Sequence, residues 1–308
     1  MEIRILGSAA GGGFPQWNCA CANCRALRAG TFAGKARTQA QIAISSDGES
    51  WFLLGASPDL RSQIEATREL QPREGLRQSP ISGVVLTSAD LDHVLGLLLL
   101  RELQPLQVFA TASVLRILRE DNSFSGMLSR VPKQVQWSTI EPRVAFDLFS
   151  PNGSASGITA TPIPLATRYP AYVSQTRAQQ LRPEDAVLGL IAELSGKRLA
   201  YLSAVGHIDD ALLAKLEEVD ILLFDGTFWS DDELIRVDKG GATARNMGHI
   251  PVGGAEGSLL RFTKIRTKKK IFIHINNTNP MLNELSPEYR EVRDAGWEIA
   301  EDGWQFTL

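Results

Sequence analysis

The sequence predicts an α/β protein whose segments are compatible with two packed sheets flanked by helices, a topology that periodicity alone does not fix. Three observations carry that reading: short β-rich segments recur in both halves, helical segments lie between them, and no repeat, low-complexity tract or Pro/Ser-rich linker interrupts the run. With 308 residues, 44% hydrophobic and 22% charged, the chain has the composition of a folded globular protein, and a single domain over 1–308 is the simplest division. Its 32 Lys+Arg against 35 Asp+Glu give a net charge of −3, which leaves no basic footprint for nucleic acid or an anionic membrane.

Glu2-Ile3-Arg4-Ile5-Leu6 alternates polar and apolar before Gly7, so an opening strand feeds a glycine-rich loop through Phe14. Gln39 to Ser45 and Trp51 to Leu54, joined through Asp47-Gly48, read as a hairpin. Ser57-Pro58-Asp59 starts a helix with Leu60, Ile64 and Thr67 on one face up to Leu70. Ile81 to Thr87 is a strand. The acidic turn Ser88-Ala89-Asp90-Leu91-Asp92-His93 then leads into an apolar helix, Val94 to Leu103, that reads as buried. Val108 to Ala110 predicts a strand and Ala112 to Arg119 a helix. Further strands are expected at Val144 to Leu148, Thr159 to Pro164, Ala186 to Leu194, Arg198 to Leu202, Ile221 to Phe224 and Lys270 to Ile275. Helices are expected at Asp209 to Glu217 and Pro287 to Ala295, and Trp297 to Leu308 reads as a closing hairpin. The longest apolar run, Val94 to Leu100, is far short of the roughly 18–20 residues that span a bilayer. The opening residues carry neither the basic region nor the apolar stretch of an export signal, so the expected location is cytoplasmic.

Chemistry concentrates in a few places. Cys19, Cys21 and Cys24 are the only cysteines, and three thiols within six residues suit a loop wrapped around a tetrahedral Zn²⁺; a redox Cys21–Cys24 pair and unpaired thiols are the other readings. Only four histidines exist: His93, His207, His249 and His274. Asp92-His93 sits at a strand-to-helix turn, where a metal pair and a structural role both fit. His274 lies in the apolar run Ile271 to Ile275 and is followed by the polar Asn276-Asn277-Thr278-Asn279, whose amides suit either a ligand shell or a capped turn. His249, among glycines, is a candidate acid or base that Asp225, at a strand end, is placed to orient. His207 precedes an apparent helix start and reads as structural.

In this order the motifs resemble the metallo-β-lactamase superfamily, whose metal-binding turn is His-x-His-x-Asp-His after a strand. The chain replaces the first two histidines with Ser88 and Asp90 and keeps Asp92-His93, with Gly96 three residues on. The place of the usual metal-bridging Asp holds Ala204. Within the superfamily the chain is similar, over essentially its whole length, to members that act in making the redox cofactor pyrroloquinoline quinone (PQQ). That similarity rests on Gly7 to Cys19, the cysteine cluster, Ser57 to Arg61, Thr87 to His93, Met247 to Pro251 and His274 to Pro280.

The resemblance implies a four-layer αββα sandwich and a structural zinc on Cys19, Cys21 and Cys24. Asn277 stands where relatives carry a fourth zinc ligand. It also implies an active-site Fe²⁺ on Asp92, His93 and His274, the two-His, one-carboxylate set of non-haem oxygenases, with Asp90 as a further carboxylate. His249 and Asp225 match a proton-transfer pair. The implied reaction is Fe(II)- and O₂-dependent hydroxylation of the tyrosine ring of a cross-linked Glu-Tyr precursor, with other PQQ biosynthesis proteins as partners. The rival readings are a soluble carrier that passes PQQ or its precursor toward the periplasm, and a metal-dependent hydrolase. The hydrolase requires a second ion about 3.5–4 Å from the first, which the surviving ligands scarcely supply.

Overall fold

The computed structural model describes residues 1–237 and 240–308. Its strands are β1 (Glu2–Gly7), β2 (Gln41–Ser45), β3 (Trp51–Leu54), β4 (Ile81–Val85), β5 (Leu106–Ala110), β6 (Val135–Thr139), β7 (Phe146–Phe149), β8 (Ala155–Ala166), β9 (Val187–Leu194), β10 (Lys197–Leu202), β11 (Ile221–Asp225), β12 (Lys269–Ile273), β13 (Glu298–Ile299) and β14 (Gln305–Thr307). The α-helices are α1 (Ala22–Arg28), α2 (Leu60–Ala66), α3 (Leu91–Val94), α4 (Ala112–Arg119), α5 (Gln175–Ala178), α6 (Asp210–Leu216), α7 (Glu233–Val237), α8 (Ser258–Arg261) and α9 (Pro287–Asp294). The chain forms two compact units, one of Met1–Leu6, Gln41–Lys197 and Gly303–Leu308, the other of Gly7–Ala40 and Arg198–Asp302. Among the described residues no helix is long and apolar enough to cross a membrane.

The first unit holds a mixed sheet in the order β14-β1-β2-β3-β4-β5-β6. β2 and β3 are the expected antiparallel hairpin, closed by Ser45 Oγ on the Gly48 N–H at 2.9 Å and by Asp47 Oδ1 on the Glu49 and Ser50 N–H groups. From β3 to β6 the pairing is parallel, and β2, β3 and β5 are buried throughout; β3, Trp-Phe-Leu-Leu, is accordingly wholly apolar, whereas β2 and β5 also bury Gln41, Ser45 and Gln107. α4 spans the residues expected of it: Thr111 Oγ1 caps it at the Val114 N–H, 3.3 Å, and Val114, Ile117 and Leu118 form its buried face. The same unit carries the antiparallel strands β7, β8 and β9.

The second unit carries β10, β11, β12 and β13 in parallel pairing. Its core gathers Phe224, Phe262, Phe272 and Trp297, with Phe272 stacked on Trp297 at 4.2 Å between centroids. Each such ring contributes roughly 1.5–3 kcal/mol of burial free energy.

Four expectations need correction. Val94 to Leu103 is not a buried α-helix: α3 stops at Val94, Leu95–Leu100 is 3₁₀, and Leu95 and Leu99 are each 39% exposed. The tighter turn follows from Gly96, whose N–H binds the Ala56 carbonyl at 2.8 Å and whose α-carbon lies against the Ala56–Ser57 backbone. The helix from Leu60 breaks at Thr67, which is extended, and continues as a 3₁₀ turn to Leu70. β6, with only Val135 and Trp137 as apolar residues, is an edge strand that the periodicity misses. Trp297 to Leu308 is not a hairpin, because β13 pairs parallel with β12 whereas β14 pairs antiparallel with β1.

Candidate metal centre

In the first unit, β4 delivers the turn that carries Asp90, Asp92 and His93. Asp90 occupies the N-cap position of α3, its N–H bound to Ser88 Oγ at 3.1 Å and its carbonyl accepting the His93 N–H at 2.9 Å. The His93 carbonyl accepts the Ala56 N–H at 2.7 Å, so the turn is fastened to the segment after β3. His93 is buried; its Nδ1 lies 3.5 Å from Thr87 Oγ1, and its Nε2 lies 3.7 Å from Asp92 Oδ2. Imidazole nitrogen and carboxylate therefore sit side by side, as two ligands of one ion must. The Tyr172 hydroxyl donates to the Ala89 carbonyl in the same turn, and burial, with Asp90 nearby, pushes its phenol up to about 12. Tyr172 had no sequence signal beyond being aromatic.

In the second unit, Asp225 ends β11 with its carboxylate fully buried. Oδ2 accepts from Val205 N–H at 2.8 Å and lies 2.7 Å from His249 Nδ1; Oδ1 accepts the Thr227 N–H at 3.0 Å and the Thr227 hydroxyl at 2.6 Å. Burial pushes this carboxyl up, but the charge and hydrogen bond of His249, then His274 and Thr227, outweigh it and hold it below the usual carboxylate range. His249 is thus buried and pinned, with its ring stacked near-parallel to His274 at 5.6 Å.

The same network orients His274. Thr227 Oγ1 lies 2.6 Å from Asp225 Oδ1 and 2.9 Å from the His274 carbonyl oxygen, both of which can only accept, so its one proton goes to these oxygens and Oγ1 accepts from His274 Nδ1, 2.8 Å away. This assigns the Nδ1–H tautomer to His274, so that Nε2 carries the ring's lone pair. His274 also has φ of +59°, a left-handed conformation that costs a side-chain-bearing residue on the order of 1–3 kcal/mol at such sites. Backbone bonds on both sides hold it there, Gly226 N–H to the Ile273 carbonyl at 2.8 Å and Asn276 N–H to the Thr227 carbonyl at 3.0 Å. Thr227 was missed in the sequence because nothing about a lone threonine two residues after an aspartate marks it.

The cysteines converge at the start of α1, their Sγ atoms within 4.8 Å of one another. Cys21 is the N-cap, its sulfur accepting the Cys24 N–H at 3.5 Å, and the Cys21 N–H points to Cys19 Sγ at 3.4 Å. Asn277 arrives from beyond β12, with Nδ2 at 3.1, 3.6 and 3.4 Å from Cys19, Cys21 and Cys24 Sγ. Burial, and then the neighbouring Cys21, push the Cys24 thiol up to about 11. The Cys19 thiol, although burial opposes it, is drawn down by the Cys21 N–H and by hydrogen bonds from Cys21, Cys24 and Asn277. Three soft donors and an amide around one point form a donor set that fits zinc. Ala204, just past β10, offers no ligand atom.

Residues 50–275 match the family model described as the beta-lactamase superfamily domain, so the protein is of the α/β metallo-β-lactamase class that its motifs resemble. A solved structure, Zn²⁺-bound PqqB from Methylobacterium extorquens, is 41% identical, with all of both chains covered and a TM-score of 0.91. Coenzyme PQQ synthesis protein B of Methylorubrum populi is 43% identical and that of Xanthomonas oryzae pv. oryzae 41%, each with all of both chains covered. The chain belongs to the coenzyme PQQ synthesis protein B family. A diphosphatase of the PhnP family, 21% identical with a TM-score of 0.66 over 100% of this chain and 97% of its own, shares the fold.

Proposed function

We propose that this chain acts in PQQ biosynthesis as an Fe(II)- and O₂-dependent hydroxylase of the tyrosine ring of a cross-linked Glu-Tyr precursor. Asp92, His93 and His274 hold the iron, with Asp90 as a nearby carboxylate, and Cys19, Cys21 and Cys24 hold a structural zinc. Family membership supports the pathway. The observation that supports the chemistry is the fixed tautomer of His274, which puts the lone pair on Nε2, taken with the Asp92 carboxylate and His93 imidazole, which lie beside one another in their own turn. Two imidazoles and one carboxylate leave coordination positions open for O₂ and substrate.

Iron, when bound, supplies O₂ activation; one oxygen atom enters the ring, the other leaves as water, and an external reductant provides the two further electrons. The remaining work falls to the chain. His249 donates Nδ1–H to Asp225, so its Nε2 is the basic nitrogen that takes or returns the ring proton, and the buried Asp225 carboxylate stabilises the imidazolium that forms. At the cysteines, a half-turn of the Asn277 amide would exchange Nδ2 for Oδ1, and that oxygen would then serve as a fourth ligand to zinc.

The test is EPR of anaerobically Fe(II)-loaded protein exposed to nitric oxide, comparing wild type with His93→Ala. A high-spin iron–nitrosyl signal in wild type that is absent from the variant supports the triad. No signal in wild type, or an undiminished one in the variant, refutes it.

A further inference from the structure

Residues 276–279 run between the late-strand histidine and the thiols, and every side chain in the run is engaged. Asn276 Nδ2 donates to Thr278 Oγ1, and the Thr278 hydroxyl donates to Glu233 Oε1. Glu233 Oε2 accepts the Trp229 N–H at 2.6 Å. Asn279 Nδ2 donates to the Gly226 and Thr227 carbonyls at 3.0 and 3.3 Å. The Asn277 carbonyl accepts Asn23 Nδ2 at 3.1 Å, while its own amide meets the three sulfurs. Asn277 is thus flanked on both sides by residues that one carboxylate fastens.

That carboxylate is 7% exposed and stands at the first residue of α7, a five-residue helix. Burying a carboxyl is costly, and an apolar residue would pack there more cheaply. What the carboxylate offers is two acceptor oxygens at a fixed fork, one for the Trp229 N–H and one for the Thr278 hydroxyl. A glutamine supplies one acceptor and sets a donor against the other partner.

We propose that Glu233 is a positioning residue of the cysteine metal site: through Thr278 it fixes the backbone on either side of Asn277 and so sets where the amide meets the thiolates. The proposal rests on the reading that these thiolates hold zinc. Removing Glu233 releases Thr278 and Asn276 together, and Asn277 then meets the metal as a mobile group.

The experiment uses full-length protein at pH 8, with Co²⁺ substituted for zinc and Zn²⁺ affinity measured by chelator competition. Glu233→Ala is expected to shift the ligand-field bands of Co²⁺ and lower Zn²⁺ affinity about 10–100-fold, the range for losing a group that orients a metal ligand. Glu233→Gln should restore part of both. Thr278→Val, which keeps the shape and removes the hydroxyl, should reproduce the shift and covers the case in which Glu233→Ala does not fold. Wild-type spectra and affinity in the variants, alongside a normal thiolate-to-cobalt band in wild type, overturn this proposal alone. A wild type with no such band overturns the zinc reading and this proposal with it.

Discussion

Asp225 Oδ2 lies 2.7 Å from His249 Nδ1 with the carboxylate wholly buried, and through the Thr227 hydroxyl the same carboxylate also sets His274. One group thus fixes the tautomers of both histidines. Asp225→Asn keeps the shape but offers the His249 Nδ1–H and the Thr227 hydroxyl a weaker acceptor. Turnover and Fe(II) affinity are expected to fall about 10–100-fold while the far-UV circular dichroism stays that of wild type. Unchanged kinetics and iron affinity would remove Asp225 from the site.

Glu233 gives a distinct pH signature. Burial pushes its carboxyl from the ordinary 4.5 up to about 7, against the hydrogen bonds from Thr278 and the Trp229 N–H. Between those values the folded chain keeps a proton that the unfolded chain gives up. Its contribution is therefore complete below pH 4.5 and is lost as pH rises through 7, by about 3 kcal/mol in all. Urea unfolding from pH 4.5 to 8 should show that decline in metal-free wild type and a flatter profile in Glu233→Gln. Parallel profiles would mean that the carboxyl titrates normally.

What the sequence conveyed about the fold and the site was local. Cys19, Cys21 and Cys24 fall within six residues at one helix start, and Asp92 and His93 are neighbours in one turn, so spacing alone groups them. The buried strand β3 reads as an apolar run, Trp-Phe-Leu-Leu, and β2 by its alternation around Ile42 and Ile44. Asn277 meets the cysteines across more than 250 positions, and although its polar run stood out, only the resemblance tied it to the thiols. Thr227 and Glu233 act through hydrogen bonds to residues 47 and 45 positions away, which periodicity does not encode. The leucine run failed for a related reason: its 3₁₀ path is dictated by backbone near Gly96, not by its own apolar pattern.

Gly96 makes that constraint testable. A Cβ there would stand 2.3 Å from the Ser57 carbonyl oxygen and 2.8 Å from the Ala56 carbonyl, both backbone atoms with no side-chain freedom to yield. Gly96→Ala should destabilise the protein by about 1–3 kcal/mol and displace the turn that His93 shares with Ala56. The measurements are the thermal midpoint and Fe(II) affinity, both of which should fall. A variant with wild-type values for both would show that the turn tolerates a shift of several tenths of an ångström.

Metal removal tests the cysteine site most directly. A ligand that binds only the folded state stabilises it by about 4 kcal/mol at a thousand times its dissociation constant. The cysteines tie the start of α1 to Asn277, which follows β12, so a zinc held there would brace two chain-distant parts of the second unit. Wild type is expected to carry one zinc at these thiols, to lose several degrees of thermal midpoint in a strong chelator, and to regain them when zinc is restored. Cys24→Ser replaces the buried sulfur with a harder, poorer ligand and should lose both the zinc and the chelator response. Because thiols must shed protons to bind, wild-type zinc affinity should also climb as pH rises from 6 to 8. If chelated and zinc-loaded wild type unfold at the same temperature, the three cysteines do not hold a structural ion, and their convergence must be explained by thiol chemistry instead.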